Sequence, residues 1–419
     1  MIRKESIRSK IHRAEILFLY LFAAFSFVSI AGTQIALGVA FILWIIRHLT
    51  QKSFLGQKTG LEWLIIAVFA WALLGTFISP RPMESFVHLK HLLLIIVVFL
   101  LADRTLGIFV NPDRVSNPVR VRFAEKFLYI WISTATLLSL VGIIRYLSQD
   151  TLKVMATQST TMTWAAMLAP VTTITVAILL FLPTSRKEKW LWGAAAAIQI
   201  IALFYSFVRG AYLGLIAGVG VILLVRKPKL ILGFAVAAAM VLFLAPENLQ
   251  ARFLSIFDLS SPTTQVRLVQ WQHALEMIRE SPIFGFGWID LGALHRQMIP
   301  PDPSLLPEVL HDVFYIGHFH SNPVMWMMIW GVPGLLLMLV FFGKIFILQW
   351  QALETVDENI FASVLALGCF GALTGFLITG LFDWTFGDAE TVTILWITVG
   401  LALRNIPAST ARGDSKIGG

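Results

Sequence analysis

The sequence predicts an all-α, polytopic membrane protein of about twelve transmembrane helices, with one large loop on the side facing away from the cytoplasm. Three observations predict it. Of 419 residues, 57% are apolar and 13% charged, against about 25% charged in a soluble domain. Long uncharged apolar runs recur from Ile16 to Leu403, too many for one buried core, so their solvent must be lipid. Lysine and arginine also alternate between successive connections along the whole chain, as the positive-inside rule requires.

The elements follow in order. Arg3, Lys4, Arg8, Lys10 and Arg13 precede an apolar stretch ending near Ala31-Gly32, a pattern shared with secretory signals. A second apolar run, Ile35 to Ile46, follows at once, and a helical hairpin accounts for both. A helix rises 1.5 Å per residue, so one crossing takes roughly 20 residues. The spans then fall near 14–32, 34–48, 61–79, 86–102, 127–147, 162–182, 190–207, 210–225, 229–245, 323–343, 359–381 and 391–404. With a cytoplasmic N-terminus, 23 of the 32 Lys and Arg lie on the cytoplasmic side. The other side keeps Arg81, Lys90, Arg145, Lys153, Arg209, Arg252, Arg267, Arg279 and Arg296. Basic cytoplasmic loops beside anionic lipid explain the net charge of +8 without nucleic acid. Cys369 is the single cysteine, so no internal disulfide forms and redox compartment is not readable.

The chain divides into 1–245 with nine spans, a loop over 246–322, and 323–419 with three spans and a cytoplasmic tail. Loops as long as the middle segment are uncommon and usually functional. Within it, Thr264 to Glu280 reads as an amphipathic helix with Leu268, Trp271, Leu275 and Ile278 on one stripe. Pro262 precedes it, Ser281-Pro282 stops it, and Gly285 and Gly287 follow as turn residues. A second short helix is expected from Leu305 to about Ile316.

Three outer features carry chemistry. In His320-Ser321-Asn322-Pro323, Ser or Asn caps the tenth span and Pro starts it. His320 then sits beside the positive end of a helix dipole, which disfavours imidazolium and attracts anions, as suits a neutral base beside phosphate. The alternative is an interfacial histidine without a role. Gly331 and Gly334 permit close packing of the same helix. His318 shares a strand-like period with His320 and His311 is near, but no acidic or cysteine partner stands at ligand spacing, so no metal is expected. The second feature is Arg209, in the near-absent turn Ser206-Phe207-Val208-Arg209-Gly210, close to bilayer depth; simple snorkelling to headgroups is its competing reading. The third is Arg267, four residues before Trp271, against which stands an ordinary solvated arginine.

Together these residues resemble the O-antigen ligases. His320-Ser321 followed nine residues later by Gly331-Val332-Pro333-Gly334 is similar to that family's signature. Arg209-Gly210 after Ser206 looks like its inter-helix arginine. Arg267, Trp271, Ala274, Met277-Ile278, Pro282 and Gly285-Phe286-Gly287 resemble the arginine-led segment of its periplasmic loop. The resemblance implies a GT-C-like enzyme of the bacterial inner membrane, its active site facing the periplasm. Such an enzyme moves O-antigen glycan from undecaprenyl diphosphate to lipid A-core oligosaccharide without metal or other cofactor. Polymerases and protein-glycosylating ligases of the same superfamily, which differ in acceptor, are the alternative.

Departing polyprenyl diphosphate needs its charge stabilised, and no aspartate-rich metal motif lies on the outer face. Arg209 and Arg267, with permanent charge and a fork of donors, are the candidates. His320 would take the acceptor hydroxyl's proton, worth roughly 10²–10⁴-fold, and a single displacement inverts the anomeric carbon. Arg81, Lys90 and Arg145 would hold acceptor phosphates, His318 and Trp271 are further substrate-binding candidates, and Asp383 and Asp388 would orient groups. A flippase or transporter would also have about twelve spans with buried charge. The absence of half-to-half symmetry and the clustering of charges at one interface favour an enzyme.

Overall fold

A computed structural model describes residues 2–51, 58–106, 118–149, 151–158, 160–300, 314–355 and 359–404, which form helices and turns with no strand among them. The membrane-spanning body uses α1 (Ile2–Phe25), α2 (Ile30–Gln51), α3 (Glu62–Ile78), α4 (Pro82–His88), α5 (Lys90–Leu93), α6 (Ile96–Ala102), α7 (Pro118–Leu147), α8 (Thr161–Phe181), α9 (Arg186–Phe204), α10 (Arg209–Arg226) and α11 (Ile231–Leu244). The long loop adds α12 (Glu247–Leu254), α13 (Pro262–Met277) and α14 (Leu291–Met298), after which α15 (Asn322–Thr355), α16 (Ile360–Gly380) and α17 (Ala389–Leu403) complete the body. The expected helix from Leu305, and His311, fall on residues outside those described.

Among the described residues, seven stretches are long and apolar enough to cross a membrane, so the chain is a polytopic membrane protein. Fewer segments meet that criterion than the sequence predicts. Glu62–Ile78, Pro228–Leu244 and Ala389–Leu403 are apolar but shorter. α9 opens on Arg186, Lys187, Glu188 and Lys189, charge that belongs at headgroups rather than in hydrocarbon. The span expected over 86–102 is broken into α4, α5 and α6. Its joints use Leu92 N–H to Leu89 O at 3.0 Å and Val97 N–H to Leu94 O at 3.1 Å, the tighter 3₁₀ pattern.

α8, α10, α16 and α17 make the centre. α10 and α16 approach until backbone meets backbone: a Cβ on Gly214 would lie 2.6 Å from Gly375 O, and one on Gly218 2.7 Å from Gly371 O. In lipid, where apolar surface gains nothing from burial against another helix, such close van der Waals packing is what drives association.

At one end of the bundle, α1, α2, α6 and α17 meet around charge. Arg47 donates to both Glu15 oxygens at 2.5 and 2.9 Å and to Asp103 Oδ2 at 2.6 Å. Arg404, just past α17, donates to the carbonyls of Leu101, Asp103 and Leu106. These side chains are sealed from solvent.

The opposite end carries the loop, and a broken helix explains how the loop docks. Pro333 has no N–H for Ile329 O, and Gly331 turns to φ 73°, which leaves two carbonyls of α15 without intrahelical donors. Gly287 N–H fills Ile329 O at 2.9 Å, Phe286 N–H fills Met328 O at 2.8 Å, and Val332 N–H donates back to Pro282 O at 2.8 Å. A Cβ on Gly331 would lie 2.1 Å from Ile283 O. The two glycine motifs of the sequence therefore meet each other, and Gly331 serves a kink rather than helix–helix packing.

One loop expectation is corrected. α13 buries Val266, Gln270, Ala274 and Met277, while Leu268 and Leu275 stay exposed. The buried stripe contains a glutamine because Gln270 donates to Phe314 O at 2.6 Å. Only half of the expected apolar stripe packs inward, Ile278 buried and Trp271 half-buried against the core, and periodicity alone does not say whether an apolar face meets protein or lipid.

Candidate active site

His320 sits in a left-handed turn, φ 47°, a conformation uncommon outside glycine and often kept at functional sites. The turn after it is held by Asn322, whose amide donates to Thr385 Oγ1 at 2.9 Å and whose carbonyl oxygen accepts Phe386 N–H at 3.1 Å. The asparagine expected to cap α15 instead ties its start to the segment joining α16 and α17. That tie brings Asp383 to His320, Nδ1 to Oδ1 3.4 Å, with both residues buried. A carboxylate can only accept, so Nδ1 carries the proton and Nε2 is left as the basic atom. This is the histidine–carboxylate logic of many hydrolases and transferases.

Asp383 stays below the usual carboxylate range: burial pushes it up, but the His320 hydrogen bond, the two neighbouring imidazoles and the Arg267 guanidinium more than offset this. His318 packs edge-to-face on His320, centroids 4.5 Å apart. Burial, then the neighbouring His320 ring and Arg267, press its pKa down to about 4, with Asp383 opposing, so it is neutral.

His318, His320 and Asp383 share a cavity of ≈ 530 Å³ with Arg267, within the range of small-molecule sites. Thr160, Thr163, Pro262, Thr263, Trp384, Thr385, Asp388 and Thr391 also line it. Arg267 projects from α13 and, among the described residues, has no hydrogen-bond acceptor of its own. Burial and then Arg252 lower its pKa while Asp383 opposes, yet a guanidinium remains charged. The solvated-arginine reading does not describe it.

Arg209 is not in the cavity wall and does not snorkel. It is buried, and its guanidinium donates to Ser255 O, to Thr263 Oγ1 at 2.9 Å and to Thr264 Oγ1 at 3.2 Å. It thus pins the start of α13, the helix that carries Arg267. Trp271, one turn beyond Arg267, donates from Nε1 to Phe319 O at 2.8 Å and holds the segment leading to His320 rather than lining the cavity. Arg81 is exposed beside Glu84 at 3.4 Å, Lys90 is exposed, and Arg145 donates to Ala156 O at 2.8 Å. None of these three reaches the cavity.

Ligand atoms of His318, His320 and Asp383 lie within 4.8 Å of one another, so the acidic partner missed by local spacing arrives 63 residues later. The set could hold a cation by geometry. Arg267, however, acts electrostatically on two of the three groups, and a divalent ion beside a fixed guanidinium is repelled at low dielectric. The donor set fits an anion bound by arginine better than a metal.

Residues 194–339 match the family model of the O-antigen ligases. The match covers about a third of the chain and is consistent with the O-antigen ligase superfamily. The matched region includes Arg209, Arg267, His318 and His320, while Asp383 and Asp388 lie beyond it. That family implies a glycosyltransferase-like enzyme acting on polysaccharide or lipid-linked substrates. No curated protein matches the chain. Thr163 escaped the sequence reading; the only signal was the threonine-rich run that leads into the first turn of α8, Thr157 to Thr163.

Proposed function

We propose that the protein is an O-antigen ligase, transferring glycan from undecaprenyl diphosphate to lipid A-core oligosaccharide with inversion and without metal. It would cross the bacterial inner membrane about twelve times, with residues 246–322 and the cavity facing the periplasm. One observation carries the reading: a histidine–aspartate pair and an unengaged arginine line one cavity at one end of a membrane bundle.

His320 Nε2 takes the proton of the acceptor hydroxyl as it attacks the anomeric carbon. Asp383 fixes the ring and balances the imidazolium that forms. The bond to the diphosphate breaks on the opposite face, and Arg267 meets the charge that develops on the leaving oxygen. Arg209 adds positive charge from behind Thr263 and keeps α13 in place. Arg81, Lys90 and Arg145, outside the cavity, are assigned to acceptor phosphates and His318 to the binding of substrate near the base, while Trp271 acts by holding the segment before His320.

The test is a reconstitution with lipid-linked O-antigen, with and without lipid A-core. A ligase joins glycan to lipid A-core and does nothing to the donor alone. Lengthened lipid-linked glycan in the reaction lacking lipid A-core would make the protein a polymerase instead.

A further inference from the structure

Asp388 stands at the N-cap position of α17, where an aspartate ordinarily accepts from the first-turn amides. It makes no such bond. Its Oδ2 instead accepts the Thr163 hydroxyl at 2.7 Å across the cavity mouth between α8 and α17. Thr163 in turn lies 2.9 Å from Thr160 Oγ1; since its proton is committed to Asp388, Thr160 is the donor there. Two hydroxyls are thereby aligned toward one carboxylate, and Asp388 Oδ1 keeps its acceptor capacity with no partner among the described residues. Both Asp388 and Thr163 line the cavity of His320 and Arg267. Burial foremost, then the Glu390 and Asp383 charges, raise its pKa to about 6, against the Thr163 hydrogen bond. At neutral pH it is largely an ionised acceptor.

A carboxylate at the end of a chain of oriented threonine hydroxyls repels phosphate and suits neutral hydroxyl donors, which a pyranose supplies in quantity. We propose that Asp388 and Thr163 form a sugar-binding wall in the reaction cavity, accepting hydroxyls of the pyranose at the reacting centre. Arg267 serves the diphosphate and Asp388 the ring attached to it. The proposal rests on the transferase reading for the nature of the ligand.

Binding of three probes to the full-length protein in lipid nanodiscs tests it: undecaprenyl diphosphate, the same lipid carrying O-antigen, and lipid A-core. Measurable wild-type affinity for the two undecaprenyl lipids tests the transferase reading; the ratio between them under substitution tests the sugar wall. Asp388→Ala should weaken the glycan-bearing lipid about tenfold or more and leave bare undecaprenyl diphosphate unchanged. Asp388→Asn should recover part of the loss. Thr163→Val, which keeps the shape, should show the same selectivity more weakly. A loss confined to lipid A-core, with the glycan-bearing undecaprenyl lipid unchanged, would overturn the assignment to the donor ring. Equal weakening of the bare and glycan-bearing lipids, or no weakening of any sugar-bearing probe by either variant, would overturn it.

Discussion

Two buried charged clusters occupy the two ends of the bundle, and they differ in what they leave unused. At one end Arg47 spends its donors on Glu15, Asp103 and Thr105, while Asp103 also accepts from Trp44 at 3.0 Å. Each of these charged groups has a protein partner. At the other end Arg267, His320 Nε2 and one oxygen of Asp388 face a ≈ 530 Å³ cavity without hydrogen-bond partners among the described residues. Buried charge alone therefore does not mark a site in a membrane protein. Unfilled hydrogen-bonding capacity beside open volume does.

If the first cluster is only structural, breaking it should cost stability and nothing else. Arg47→Ala leaves Glu15 and Asp103 buried without their cation, a loss of about 3–5 kcal/mol. The detergent-solubilised variant should melt well below wild type, while the folded fraction transfers glycan at the normal rate per molecule. A normal melting curve would mean that the cluster is not the staple described here.

The second cluster should behave in the opposite way. Arg267→Lys keeps the charge and loses the fork, so transfer should fall roughly 30-fold or more with melting unchanged. Arg209→Lys should also be impaired, because three loop oxygens accept from its guanidinium and an ammonium cannot span them. A silent Arg209→Lys would return that residue to headgroup snorkelling.

The loop between these extremes carries a titratable latch. His273 Nδ1 and His295 Nε2 are 2.8 Å apart, a bond that needs at least one neutral ring. Burial, then His273, depresses the His295 pKa to about 3. The ordinary value near 6.5 applies once the loop opens. A depressed folded value gives stability that is full above pH 6.5 and is lost as pH falls from there toward 3, about 2 kcal/mol by pH 5. Protection of the α14 amides, corrected for the intrinsic pH dependence of exchange, should fall accordingly, and His295→Gln should remove most of that fall. Protection that is equally pH-independent in wild type would discard the latch. The smallest expected effect is that of a chelator: transfer should proceed at the same rate in its presence. Inhibition reversed by a divalent ion would turn His318, His320 and Asp383 into ligands.

The two ends also differ in how legible they were. The apolar runs and basic alternation located the helices, because lipid imposes a composition that sequence displays directly. His320, Arg209 and Arg267 stood out as polar groups at a span boundary or in the long loop. The Asp383 and Asp388 contacts did not, since a partner 63 residues away leaves no local spacing. The pairing depends on Asn322 reaching Thr385 and Phe386, a tertiary contact. The Arg47 cluster was unreadable for the same reason: Glu15, Arg47, Asp103 and Arg404 come from four separate helices or their ends. Gly331 was seen as a small packing residue, whereas only the free carbonyls beside Pro333 reveal why the loop needs it.

The central claim is that the open cluster performs transfer with His320 as base. Steady-state transfer by His320→Ala, with protein level and melting temperature matched to wild type, tests it most directly. The rate should fall by roughly 10²-fold or more while binding of undecaprenyl-diphosphate-linked glycan persists. A folded His320→Ala protein retaining more than about a tenth of the wild-type rate would contradict general-base catalysis at this cavity.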